Sequence, residues 1–452
     1  MKKYLSRNID QALLEWKDNP RRKPLLVRGA RQVGKSSTIR HLGKSFKYFL
    51  EVNVERNPEV MEFFKGSRDV KSIAAKLSDF FNVPVVPGET LLFLDEIQKC
   101  EDVIHSLWFF KEDYPELHVI AAGSLLEFVL KDLSSFGVGR VSSLFVYPMS
   151  FDEFLTATGQ EGLLRTKRNS SPMNPLPEAF YNRLVENFRS YMLVGGMPQA
   201  IDEYIQTNNF RKVDAIKRDI LSLYEDDFKK IDATGKLSLL FDSIPAQLNK
   251  NASRYQVSSV LSNERADTIL ELIAELKDSK TVLVSYHAND PNAGMATNKD
   301  LSKFKLFLCD TGLFTTLMFK DKDFTENIIY EKLLNDKLGT NLGYLYENVV
   351  AQLLHSNGNE LFYHTFMNKT SHHNYEVDFL LAQKNKVCPI EVKSSGYKTH
   401  KSLDAFSLKY SDRILQKYLV YTKDFCKDGD IICLPIYMVP FLNQSSFRSP
   451  FG

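Results

Sequence analysis

The run Gly29-Ala30-Arg31-Gln32-Val33-Gly34-Lys35-Ser36 constrains this chain more than any other feature. It satisfies the pattern G-x-x-x-x-G-K-[ST], after a short apolar run at 24–29 and before a helical pattern at 35–45. Glycines let the backbone curl until its N–H groups face one anion. The helix that follows presents its positive N-terminus to the same anion. The anion that fits is a nucleotide phosphate. Lys35 is then placed to reach the β- and γ-phosphates, and the Ser36 hydroxyl to ligate Mg²⁺. With Ser37 included, residues 29–37 are the expected ATP-binding loop. The competing explanation is a chance glycine-rich turn between a strand and a helix.

A second element argues against chance. The apolar run at 90–95 ends in Asp95-Glu96, about 60 residues downstream of Ser36. A near-continuous apolar strand belongs to a parallel sheet covered on both faces. Ligands of such sheets bind at the carboxyl edge of the strands, where this run delivers its two carboxylates. Asp95 is expected to hold Mg²⁺ through water, and Glu96 to polarise the attacking water. Another buried strand, 118–123, leads into Ser124. That residue is either a γ-phosphate sensor or a cap for the helix after it. Arg140, in Gly137-Val138-Gly139-Arg140, is either a surface side chain or a transition-state arginine. In the latter role it would act in its own chain or on a neighbour in a homo-oligomer.

Strands alternating with helices over the first 150 residues give an α/β fold with a parallel sheet. The run 162–176 reads as a polar loop, 177–228 as helices broken at Gly195-Gly196-Met197-Pro198, and 235–280 as three short helices. A β-rich stretch at 281–309 follows, which together suggests a winged helix. The N-terminal segment reads as an amphipathic helix with Ile9, Leu13 and Leu14 on one side. It lacks the long apolar run of a signal peptide. A formal charge of +2 gives no strong field for nucleic acid or membrane. Five scattered cysteines fit free thiols in a reducing compartment. No apolar stretch approaches the ~20 residues of a membrane span, so a cytoplasmic protein is expected.

The runs RGARQVGKSS, LLFLDEIQ, AAGSLLEF, GRV, FVYPMSFDEF and VGGMP resemble the AAA-like P-loop ATPases. More narrowly they resemble the prokaryotic ATPases that carry a C-terminal restriction-endonuclease-like domain. The resemblance implies ATP and Mg²⁺ as ligands and Glu96 as the catalytic glutamate beside the metal-binding Asp95. Gly196-Met197-Pro198 matches an element that lies near the nucleotide base in related ATPases, which marks Pro198 as a nucleotide contact. The implied organisation is a P-loop ATPase domain at 1–160, a helical lid or linker at 161–230, a winged helix at 231–318 and an α/β restriction-endonuclease-like domain at 319–452.

A second constellation lies in EVDFLLAQKNKVCPIEVK, residues 376–393. A tight hairpin centred on Lys384-Asn385 sets Asp378 opposite Glu391. Directly opposed side chains share a face and lie about 5 Å apart at Cβ. Lys393 shares that face. Two carboxylates and an amine could hold Mg²⁺, with Lys393 polarising a water. A solvated cross-strand charge cluster, in which Glu376 is the partner, remains the alternative. The resemblance matches this set to the D…ExK arrangement of its nuclease domain and adds Glu347 from the preceding helix. DNA or RNA is then the expected partner. Residues 340–452 hold 12 Lys and Arg against 10 Asp and Glu, so no basic tail accompanies the site. Lys398, His400 and Lys401 could touch a nucleic-acid backbone or simply begin an exposed helix, and His372-His373 read as loop. The sequence thus leaves three functions open: an ATP-controlled nuclease, an ATP-regulated switch whose C-terminal domain recognises nucleic acid or protein without cutting, or an ATP-gated toxin or defence protein with the chemistry of the first.

Overall fold

The computed structural model describes residues 4–132, 139–250, 253–335, 342–368, 373–394 and 399–443. Gly137, Val138, His372 and Lys398 lie outside the described residues. The chain forms two compact units, Met1–Met149 and Ser150–Gly452.

The first unit is built on a sheet of β1 (Leu25–Arg28), β2 (Tyr48–Asn53), β3 (Thr90–Asp95), β4 (His118–Ala122) and β5 (Ser142–Phe145). Their order is β2-β3-β4-β1-β5 and every pairing is parallel. Helices such as Lys35–Gly43, Val70–Phe81 and Glu101–Asp113 form the crossovers. All six residues of β3 and all five of β4 are buried, as a sheet covered on both faces requires. Leu26, Leu50, Val52, Leu92, Leu94 and Val119 share one core with Ile73, Leu77, Ile104 and Leu107. Each such side chain contributes about 1.5–3 kcal/mol when fully buried. In the N-terminal segment, Leu13 is buried but Leu14 is exposed, so the expected apolar side is narrower than read.

The second unit begins earlier than the expected boundary after residue 160. Ser150 and Glu153 form a reciprocal capping box that opens the helix Phe151–Ala157. Its Phe151 packs on Phe188, Tyr191 and Tyr437, all in the second unit. The expected loop at 162–176 is partly helix, Glu161–Arg168, because Leu163 and Leu164 are buried and Lys167 pairs with Asp152 at 2.6 Å. Long helices follow at Glu178–Val194, Pro198–Thr207 and Phe210–Ile231.

Among the described residues, eight strands form the sheet of this unit. They are β6 (Val282–Ala288), β7 (Lys299–Leu308), β8 (Leu361–Met367), β9 (Asn374–Gln383), β10 (Lys386–Val392), β11 (Lys417–Tyr421), β12 (Cys426–Asp428) and β13 (Ile431–Pro435). Their order is β12-β13-β11-β10-β9-β8-β6-β7. The ribbon β6–β7, expected as the wing of a separate domain at 231–318, is hydrogen-bonded into this sheet through Ser285–Leu361 and Tyr286–Phe362. All seven residues of β6 are buried, which suits an inner strand rather than a solvated wing. The expected division between 318 and 319 therefore falls inside one unit. Among the described residues, no helix is long and apolar enough to cross a membrane.

Candidate functional sites

The glycine-rich loop joins β1 to the helix Lys35–Gly43. Gly29 has φ +142°, and a Cβ there would lie 2.2 Å from the Val146 carbonyl oxygen, so no other residue fits. Gln32 and Gly34 also take positive φ, 68° and 95°, which curls Ala30, Arg31, Gln32 and Val33 around the helix start. The Lys35 ammonium folds back onto the carbonyls of Gly29 and Ala30, each at 2.9 Å. Ser36 donates to Asp95 at 3.0 Å, and Ser37 is exposed on the first helical turn. The parallel register explains the meeting of Ser36 and Asp95. Leu26 and Leu94 both pair with Ala121 of β4, so β1 and β3 end at the same sheet edge.

Asp95 and Glu96 differ electrostatically. Burial, reinforced by the Glu96 charge, raises the Asp95 pKa from its ordinary value. Burial also opposes ionisation of Glu96. There it is outweighed by hydrogen bonds from Gln98 and Ser124 and by the Lys35 charge, so the net shift is downward. Gln98 donates to Glu96 at 2.6 Å and the Ser124 hydroxyl does so at 3.1 Å. Glu96 itself holds φ 54°, an uncommon backbone for a non-glycine residue. Ser124 therefore touches the acid expected to activate water. Gln98 was not singled out from sequence. Its signal is Gly123, where a Cβ would lie 2.1 Å from the Gln98 side-chain oxygen.

Two expected nucleotide contacts have other partners. Arg140 stacks on Trp108, 3.7 Å from the ring centre, and pairs with Glu112 at 2.9 Å. Both partners lie on the helix Glu101–Asp113. Pro198 begins the helix Pro198–Thr207. The turn before it is fixed inside the second unit, where the Gly196 N–H donates to Asp310 at 2.5 Å. A Cβ on Gly195 would lie 2.8 Å from the Gly312 Cα. The helix-breaking turn thus has a packing reason of its own.

In the second unit the hairpin forms with the expected register. Gln383 pairs with Lys386 and Phe379 with Ile390, which sets Asp378 beside Glu391 at the next position. Asp378 accepts a hydrogen bond from the Val392 N–H at 2.7 Å. Lys393 pairs with Glu391 at 2.5 Å, and the second Glu391 carboxylate oxygen is buried without a hydrogen-bond partner. The centre of the site was unexpected. Lys305 of β7, 6% exposed, pairs with Glu347 at 3.3 Å and with Glu376. Among the described residues, no three His, Cys, Asp or Glu side chains are grouped as a metal-holding set. Glu347 and Glu391 both act electrostatically on Asp378, and two lysines, Lys305 and the expected Lys393, pair with the surrounding acids. Burial and the Glu347 charge push the Asp378 carboxyl well above its ordinary range. Burial disfavours the charged form of Lys305, but Glu347, Glu376 and Asp378 together outweigh it and raise its pKa. His400 sits between Asp404 at 2.9 Å and Asp428 at 3.3 Å, Lys401 is exposed, and His373 lies in an exposed bend before β9.

Comparison with known proteins agrees with the N-terminal reading. Residues 21–155 match the family model described as an AAA domain. Residues 185–323 and 342–439 match two domains of unknown function, DUF8612 and DUF4143. No curated protein matches the chain. Among solved structures, Cdc6p from Pyrobaculum aerophilum aligns over 75% of this chain and 97% of its own, at 12% identity and a TM-score of 0.26. Protein VC1899 from Vibrio cholerae aligns over 78% of this chain and 88% of its own, at 12% identity and a TM-score of 0.18. At such scores neither likeness informs the fold.

Proposed function

We propose that the first unit binds and hydrolyses ATP with Mg²⁺, and that its nucleotide state controls a nucleic-acid-binding site in the second. The observation that carries the ATP reading is the Ser36–Asp95 hydrogen bond at the carboxyl edge of the parallel sheet. It brings the end of the phosphate loop to the acid that closes β3. The AAA-domain match over 21–155 supports the same reading.

Lys35 leaves two neutral carbonyls to pair with phosphate oxygens. The Ser36 hydroxyl and the Asp95 carboxylate are hard oxygen donors suited to Mg²⁺. When bound, the metal supplies positive charge against the phosphates. Glu96, held ionised by Gln98 and Ser124, orients the attacking water and accepts its proton. Arg140 would have to leave Trp108 and Glu112 to reach a phosphate in its own chain or a neighbour's.

For the second unit, the nuclease-like reading rests on Asp378, Glu391 and Lys393 meeting across the hairpin, with Glu347 nearby. The buried, unpartnered Glu391 oxygen leaves room in the chemistry for a cation. The non-cleaving reading is favoured by Lys305, which already neutralises Glu347 and Glu376. A panel of single- and double-stranded DNA and RNA, with Mg²⁺ or Mn²⁺ and with or without ATP, separates the two. Cleavage by the wild type that Asp378→Ala removes while ATP turnover persists supports the nuclease. ATP-dependent binding without cleavage supports the switch. Neither binding nor cleavage under any condition would refute a nucleic-acid role.

A further inference from the structure

We infer that Arg7, outside the phosphate-loop motif, is a positioning residue that locks the Val33–Gly34 peptide in its phosphate-binding orientation. The inference rests on the ATP reading of Gly29–Ser36. Arg7 is 8% exposed. One guanidinium nitrogen donates to the Val33 carbonyl at 2.9 Å and the other to the Tyr147 carbonyl at 2.7 Å. A planar fork with several fixed donors can serve two carbonyls at once.

The position of the first carbonyl gives the contact its meaning. A trans peptide is planar, so its C=O and the following N–H point in opposite directions. Fixing the Val33 oxygen toward Arg7 therefore fixes the Gly34 N–H on the opposite side of the peptide, the side that the ATP reading gives to the phosphate. Gly34, at φ 95°, has no Cβ to resist a flip of this peptide. A flip would turn a carbonyl oxygen toward the phosphate and repel it. The second carbonyl closes the clamp. Tyr147 follows Val146, whose oxygen backs Gly29 at the other end of the loop and whose N–H donates to Arg28 at 2.8 Å. Arg7 thus ties the far end of the loop to the wall behind its near end.

Arg7 is itself held in place. Its N–H donates to Asp10 at 2.9 Å, Tyr4 donates to the same carboxylate at 2.6 Å, and the Tyr4 ring stacks on His41 at 3.9 Å. His41 lies on the helix that leaves the loop. The N-terminal segment is thereby anchored on both sides of the phosphate cradle.

The test is equilibrium titration of a fluorescent ATP analogue, with Mg²⁺, into the full chain as wild type, Arg7→Met and Arg7→Lys. Ligand-free melting temperature and steady-state turnover are measured alongside. Loss of a charged donor predicts affinity weaker by about tenfold to a hundredfold in Arg7→Met. Arg7→Lys should fall between, since one amine cannot span both carbonyls. The effect should appear in KM, with kcat at saturating ATP held within about threefold, because Glu96 and its donors are untouched. Wild-type affinity in Arg7→Met overturns the inference. If that variant does not fold, wild-type affinity in Arg7→Lys overturns it instead. A wild type that fails to bind the analogue would overturn the ATP reading, and this inference with it.

Discussion

Each unit has a lysine at the heart of its candidate site, and the two lysines rest on opposite kinds of partner. Lys35 lies on the carbonyls of Gly29 and Ala30. Lys305 lies on the carboxylates of Glu347 and Glu376. A cation on neutral acceptors gives up little when a phosphate arrives, because the new partner carries charge. A buried cation between two carboxylates is itself part of the structure, since either side left alone would be an uncompensated charge. Lys35 thus counts neutral carbonyls among its partners and acts on the Glu96 charge, whereas Lys305 is paired directly with two carboxylates. The difference teaches that the same residue type can rest on backbone carbonyls in one unit and on buried carboxylates in the other.

Removing each lysine should separate the two roles most clearly. Lys35→Ala should leave the melting temperature close to wild type and abolish detectable ATP binding by calorimetry. Undiminished affinity would take Lys35 out of the site. Lys305→Met should do the reverse. It strands Glu347 and Glu376 and should cost about 3–5 kcal/mol in denaturant unfolding, with ATP affinity of the folded protein unchanged. A cost near zero would mean the pair is not structural.

A smaller effect follows from Asp378. Its folded-state pKa lies above the unfolded value, so its contribution to stability is fully present below the unfolded pKa. That contribution is lost as pH rises through the folded value. Above the unfolded pKa, titration of this group therefore works against folding. Asp378→Asn should raise the melting temperature at pH 7–8 by a few degrees, with the gain shrinking toward pH 4. A gain that grows on acidification would reverse the assigned sign.

The sequence reading reached as far as local signals extend. TLLFLD forms β3 over its whole length because every residue is buried, and the Lys384-Asn385 turn sets the β9–β10 register within a few residues of itself. Both facing acids of the hairpin followed from that turn. Lys305 did not, because it meets Glu347 and Glu376 only after β6 pairs with β8. No local alternation of apolar and polar residues encodes that parallel pairing. Arg7 is similar: its partners, Val33 and Tyr147, lie on distant segments brought together by the sheet. The ATP motif was legible because phosphate chemistry demands contiguous residues. The groups that hold the motif in shape are distributed, and only the packed structure gathers them.

The central claim is that Gly29–Ser36 and Asp95 form one Mg²⁺–ATP site. Calorimetric titration of ATP into the full chain, with and without Mg²⁺, tests it most directly when wild type is compared with Asp95→Asn. The account predicts saturable binding by wild type that Mg²⁺ strengthens, and binding by Asp95→Asn that Mg²⁺ no longer strengthens. Absence of ATP binding by the wild type, or an identical Mg²⁺ dependence in both proteins, would contradict it.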